Sequence, residues 1–165
     1  MMRRLARYRV HLGFLSAAVA LVLARPSVRT WTAGLVVASV GELIRLWAAG
    51  HIEKGREITR SGPYRFVRHP LYLGSSIIGA GFVLAARSIP VAVLCAVYLG
   101  LTLAAAVRTE EATLDARFEG AYSAYREGRA EPVTRRFSVA RVLANREYRA
   151  VMGLVAAFAY LYWRL

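Results

Sequence analysis

The sequence predicts an all-α integral membrane protein with about five transmembrane helices, the third and fourth forming a helical hairpin followed by a cytosolic amphipathic helical segment. Three observations predict it. The chain of 165 residues is 57% hydrophobic with mean hydropathy +0.38, high for a soluble protein of that length. Its apolar residues gather into runs of helical length, and its arginines fall mostly between those runs. A single domain over residues 1–165 accommodates spans at about 8–24, 30–50, 71–86, 89–107 and 150–163.

The first run, to Ala24, follows Arg3, Arg4, Arg7 and Arg9 and looks at first like a signal peptide. Arg25-Pro26 stands where a small-residue cleavage site is wanted, and more apolar runs follow, so it reads as a first span. The second carries Glu42 and Arg45, three residues apart and therefore on one helical face. A charge inside a span costs about 2.5–3.5 kcal/mol on insertion scales. The two are expected to pair or to face a polar cavity, or to sit as a charge pair at the rim. Only Arg87-Ser88 separates the third and fourth runs, and Pro90 follows, as suits an antiparallel hairpin. Gly74, Gly79, Gly81 and Gly100, with Ser75 and Ser76, let membrane helices approach closely. Beyond Val107, Leu114, Phe118, Tyr122 and Tyr125 recur at helical spacing, so the fourth helix is expected to run on as an amphipathic stretch.

The net charge of +13 would suggest nucleic acid in a soluble protein, but arginines placed between apolar runs are better explained by membrane topology. With five spans, one side receives four, five and nine lysines and arginines from residues 1–9, 51–70 and 108–149, and the other side receives four. The positive-inside rule then puts the amino terminus and both polar segments in the cytoplasm, in a bacterial cell an inner-membrane placement. Cys95 is the sole cysteine, which excludes disulfides within the chain and cysteine-based zinc sites. His11, His51 and His69 show no metal-ligand spacing, so no metal is expected.

Most of the chemistry is concentrated in Ser61 to Gly74, SGPYRFVRHPLYLG, which joins two long apolar runs. Gly62-Pro63 favours a sharp turn, and Pro70 biases His69 to extended backbone while opening a helix at its first turn. His69 would then stand at the mouth of that helix, with Tyr72 on the same face. A lone interfacial histidine is more often structural than catalytic, and only its surroundings raise the functional reading. A second constellation is Glu110-Glu111, at the end of the fourth run beside Arg108. Adjacent helical residues point about 100° apart, so at most one of the pair is expected to enter a given pocket. A solvated acidic pair is the bland alternative. Gly79-Ala80-Gly81 lies inside an apolar run with no strand before it and reads as helix packing, not as a nucleotide loop.

Taken together, SGPYRFVRHPLYLG and EEATLDARFEGAYSAY resemble the paired GxYxxxRHPxYxG and EExxL blocks of the integral-membrane methyltransferase superfamily, which includes isoprenylcysteine carboxyl methyltransferases and phospholipid N-methyltransferases. The resemblance covers roughly residues 41–125. It implies S-adenosylmethionine held near the cytosolic membrane face. By motif position Tyr64, His69, Pro70, Leu71 and Tyr72 would line the cofactor pocket, and Glu110 would contact the cofactor from the second block. Ile58 and Thr59 fall in a region whose backbone touches the adenosine, and His51 falls near another contact. The acceptor implied is a lipophilic small molecule or a lipidated group arriving from the bilayer. Glu110 or His69 could take a proton from an amine acceptor and Arg108 could orient an anionic head group; Glu110 and Arg108 are the candidate catalytic residues. The chain departs from the pattern in two places. Ala106 stands where the family often has an arginine, and Glu119 interrupts the family's Phe-Gly pair. Two other readings remain: an NADPH-dependent membrane reductase, since membrane sterol reductases carry a related block, and a non-enzymatic lipid-binding membrane protein.

Overall fold

A computed structural model describes residues 2–53, 56–118, 121–131 and 133–165, with side chains from residue 13 onward. His11, Glu119 and Gly120 therefore lie outside the described side chains. The described residues are helical, with no strand: α1 (Met2–Leu23), α2 (Val28–Ala49), α3 (Pro70–Ala86), α4 (Ile89–Arg117), α5 (Ala121–Arg126), α6 (Val139–Ala144) and α7 (Tyr148–Trp163), with a 3-10 turn at Gly62–Arg65. Every apolar run of the sequence is a helix. Two of them, α2 and α4, are both long and apolar enough to cross a membrane, while α3 and the described apolar part of α1 are shorter.

Local chemistry sets the helix ends. Ser27 and Thr30 form a reciprocal capping box, which starts α2 at Val28, two residues before the hydropathy pattern suggested. Pro70 and Pro90 sit in the first turns of α3 and α4, where a missing N–H costs nothing. At the far end of α2 the chain itself supplies donors to the carbonyls that helix geometry leaves free. Asn145 Nδ2 donates to Ala49 O at 3.0 Å, and Arg141 Nε and the Ser138 N–H donate to Gly50 O at 2.8 and 3.1 Å.

α2 and α3 pack most closely, because glycines meet there in pairs. A Cβ on Gly41 would stand 2.7 Å from Gly74 O, and one on Gly74 would stand 2.7 Å from Gly41 O. Gly34 and Gly81 oppose one another in the same way two turns further along. Of the other glycines that the sequence marks for close approach, Gly79 faces Leu99 of α4, while Gly100 has nothing within 4 Å. Small residues therefore bring α3 closest to α2, and its chain neighbour α4 is joined by a left-handed Arg87 (φ 47°) and lies less tightly against it.

At one end of the bundle the Arg25 N–H donates to Ala86 O, and Arg164 donates to Leu21 O and Ala24 O. The opposite end gathers the end of α2, the starts of α3 and α7 and the end of α4, together with the described parts of the polar connections between α2 and α3 and between α4 and α7. Outward faces are apolar: Val36 is 60% exposed, Leu101 69% and Val155 61%. A surface of that kind suits lipid better than water.

The expected extension of α4 beyond Val107 is present as far as Arg117, and only its continuation through Tyr122 and Tyr125 is corrected. The helix stops at Arg117, where Phe118 leaves helical geometry (φ −119°, ψ 26°), and Tyr122 and Tyr125 belong to the separate helix α5. The break turns Tyr125 onto the polar connection, where its Oη donates to Tyr64 O at 2.6 Å, and turns Tyr122 back onto Glu111 of α4.

Because the α2–α3 contact is backbone against backbone, Gly41→Val is expected to destabilise the protein by about 1–3 kcal/mol through overpacking. Gly100→Ala, facing open space, should leave stability unchanged or raise it by up to about 1 kcal/mol. Unfolding midpoints in detergent measure both.

Candidate functional site

Gly62 begins the site. Its φ of +58° and the imidazole of His51, 2.6 Å from where a Cβ would be, both require glycine. The turn it allows buries Tyr64 against Ala48 and Ile52, with Leu71 packed alongside. Pro70 is fully buried as the first residue of α3 and holds His69 just outside the helix (φ −127°, ψ 63°). The His69 ring stacks on Tyr72, centroids 5.6 Å apart.

Here the two sequence blocks meet. His69 Nε2 lies 3.1 Å from Glu111 Oε1, which also accepts from Tyr122 Oη at 3.0 Å and lies 3.5 Å from Arg68. Glu110 Oε2 stands 3.9 Å from the other ring nitrogen, Nδ1. The pair divides as helix geometry requires, with Glu111 tying the loop to α4 and Glu110 facing a cavity of about 600 Å³. That volume lies in the range of small-molecule sites, about 300–1,000 Å³.

Ile58, Thr59, Tyr64, His69, Leu71, Tyr72 and Glu110 all line this cavity. Pro70 supports it from behind without lining it. His51 is also outside: it is buried, with Nδ1 2.9 Å from Trp47 O and its ring near Phe137, while its neighbours Ile52 and Glu53 reach the cavity wall. Arg108 is exposed and does not line the cavity; it borders an adjoining depression with Ala112 and Ala116, which shares Thr109, Thr113 and Arg117 with the cavity. The reason is angular: two residues from Glu110 on a helix is about 200° of rotation, whereas Ala106, one turn away, does line the cavity.

The positive group at the inner end of the cavity is instead Arg45 of α2. Its guanidinium donates to Glu147 Oε2 at 2.6 Å and to Ser75 Oγ, and its Nε lies 3.7 Å from Glu42 Oε2. The expected Glu42–Arg45 pair is thus one side of a buried three-residue cluster. Sequence reading missed Glu147 and the tethering role of Glu111. Glu147 did leave a trace, as an acid in an arginine-rich stretch at the threshold of an apolar run. Nothing in the spacing told Glu111 from Glu110.

Among the described residues, the hydroxyls of Thr59 and Tyr64 are buried without a hydrogen-bond partner. Burial first, then the charge of Glu110, holds the Tyr64 phenol above its ordinary pKa. Burial first, and next the hydrogen bond to Glu111, does the same for Tyr122. Both phenols therefore keep their protons at neutral pH and remain donors.

The family model for phospholipid methyltransferase matches residues 17–121, more than half the chain and including the first block and the EExxL part of the second. The chain belongs to the phospholipid methyltransferase family. It is also similar to two curated proteins: the nickel-cobalt-cadmium resistance protein NccN of Alcaligenes xylosoxydans xylosoxydans, 34% identical over 87 residues, and the cobalt-zinc-cadmium resistance protein CzcN of Cupriavidus metallidurans, 34% identical over 91 residues. The matches cover 52% and 53% of this chain but 39% and 41% of those relatives, so the chain spans about two fifths of their length. No solved structure matches the chain. Family membership points to a membrane methyltransferase, and the cavity between the two matched blocks is the candidate place for its chemistry.

Glu147 makes the shortest carboxylate contact to Arg45, and without it the guanidinium keeps Glu42, whose Oε2 lies 3.7 Å from its Nε. Glu147→Ala is expected to cost about 1.5–3 kcal/mol through the lost charged hydrogen bond, whereas Glu127→Ala, which breaks an exposed pair with Arg129, should cost at most about 1 kcal/mol. Thermal unfolding of the two purified variants compares them.

Proposed function

We propose that this protein transfers a methyl group from S-adenosylmethionine to a lipophilic or amphiphilic acceptor at the cytosolic face of a membrane, in the manner of isoprenylcysteine carboxyl methyltransferases. In this reading α1, α2, α3, α4 and α7 are five spans of an inner-membrane protein whose amino terminus and polar connections face the cytoplasm. The observation that carries it is the convergence of His69 and Glu110 on one cavity from stretches about forty residues apart, with Glu111 tying the two together.

The residues present fit the cofactor's chemistry. Glu110 can accept from ribose hydroxyls or an amino group, and the unpartnered hydroxyls of Thr59 and Tyr64 are suited to polar atoms of a ligand. Tyr72, stacked on His69, and the aliphatic side chains of Ile58 and Leu71 offer flat and apolar surface to an adenine ring. When bound, S-adenosylmethionine supplies a sulfonium methyl to a nucleophilic oxygen, nitrogen or sulfur. The protein's part is alignment and exclusion of water. A carboxylate acceptor needs no general base. An amine acceptor must lose a proton, and Glu110, facing the cavity with its carboxylate, can take it. Arg108, which does not line this cavity, is not part of its machinery in this reading, so the expected orienting of an anionic head group does not fall to it here.

Titration of purified protein with S-adenosylmethionine should show saturable binding, weakened about tenfold or more in Glu110→Gln, since a hydrogen bond to a charged group contributes about 1.5–3 kcal/mol. His69→Ala should weaken it too by releasing Glu111 and the loop. Full affinity in both variants removes the site assignment, and binding of NADPH without S-adenosylmethionine turns the reading to a reductase. Transfer of radiolabel from the methyl donor into the lipid fraction of membranes, but not into protein or water-soluble products, would identify the acceptor class.

A further inference from the structure

A second cavity, of about 440 Å³, lies among α1, α3, α4 and α7. Its walls are mostly apolar, with Ala17, Phe82, Leu94 and Leu154 among them, and the charged residue lining it is Arg45. Arg45 also lines the polar cavity and is the residue the two cavities share among the described residues. Its guanidinium divides between them: one nitrogen donates to Ser75, which lines the apolar cavity, and another donates to Glu147, which lines the polar one.

Building on the methyl-transfer reading, we infer that the apolar cavity receives the hydrocarbon part of an amphiphilic acceptor and that Arg45 is the movable partition past which its head reaches the polar cavity. The lining decides the first half of the inference. An apolar cavity among membrane-compatible helices is poor at holding water, which needs two to four polar partners, and hydrocarbon suits it. Its polar end is at Arg45 and Ser75. Phe82 lies seven residues further along α3, roughly 10 Å at 1.5 Å per residue, which gives the cavity a head end and a tail end.

Glu42 decides the second half. Its carboxylate is buried, neither oxygen has a hydrogen-bond partner among the described residues, and one lies 3.7 Å from Arg45 Nε. The guanidinium thus has an alternative acceptor on its own helix. By turning from Ser75 and Glu147 toward Glu42 it opens the passage while keeping a carboxylate partner, so its charge is never stranded.

The test uses full-length protein in lipid nanodiscs and two long-chain alkyl alcohols, one carrying a photoreactive diazirine at the tail end and the other beside the hydroxyl. Adducts are mapped by peptide mass spectrometry. The tail-end probe should mark Phe82 and Leu94, and the head-end probe should mark Ser75. Gly153 lines the cavity and a Cβ there meets nothing within 4 Å, so Gly153→Leu is the substitution chosen to fill the space. In that variant labelling of the cavity should fall to the level at Leu101, which faces outward. In Arg45→Gln, head-end adducts should spread to Ala105 and Thr109 of the polar cavity.

Unchanged cavity labelling in Gly153→Leu, or adducts spread evenly with no difference between the probes, overturns the hydrocarbon site. A head-end pattern unaltered in folded Arg45→Gln overturns the partition. S-adenosylmethionine binding, measured on the same preparations, reports separately on the methyl-transfer reading: its absence with cavity labelling intact rejects that reading and leaves the hydrocarbon site standing.

Discussion

His69 and Glu111 are separated by 42 residues and two helices, yet their side chains meet at 3.1 Å, and the whole polar end of the molecule is arranged around that contact. It requires Pro70 to set the first turn of α3 so that the imidazole stands outside the helix. It requires α4 to run for 29 residues, roughly 44 Å, so that its last turns rise past the apolar part of the bundle and level with the loop. It also requires the turn at Phe118, which brings Tyr122 onto the same carboxylate and Tyr125 onto Tyr64. Each of these hydrogen bonds is worth only about 1 kcal/mol net. Together they close the wall of a cavity that neither segment could form alone.

Deeper in the bundle a different constraint acts. Two carboxylates, Glu42 and Glu147, flank one guanidinium in surroundings where charges are costly, and the three groups lie on α2 and at the start of α7. Hydrophobic residues of similar volume would hold those helices together at least as well. Such a cluster is best understood through where it lies, between a polar cavity and an apolar one. The paired glycines of α2 and α3 make the position possible, since Gly74 lies close against the Arg45 side chain and any larger residue would displace it.

The same end of the molecule carries most of its arginines, and they also have structural work. Arg135 reaches Glu53 and Glu57, and Arg141 reaches Glu53 and Gly50 O, strapping the segment before α6 across the connection that follows α2. Phe137 packs over Gly50 and the His51 ring. The connection that contributes Ile58 and Thr59 to the cavity is therefore braced from outside by the polar segment near the carboxyl terminus. The match to the phospholipid methyltransferase family ends at residue 121, so this brace lies beyond the matched region.

Hydropathy and the two paired blocks were enough to read all the long helices, the polar end, the family and the part of the cavity lining that runs from Ile58 to Tyr72 and Glu110, because burying apolar runs as helices and starting them at proline are local consequences of composition. Other features depended on distance and angle. Glu111, not Glu110, ties down His69; Arg108 lies about 200° round the helix from Glu110; and α3 packs most closely against α2 although its short joint leads to α4. Glu147 shows the limit most clearly. It meets Arg45 across 102 residues of chain, and no periodicity within a single helix encodes that contact. Sequence pattern fixes which face of a helix is apolar, but which groups meet across helices depends on how closely their backbones approach, and here that was decided by glycines opposing glycines once the chain had folded.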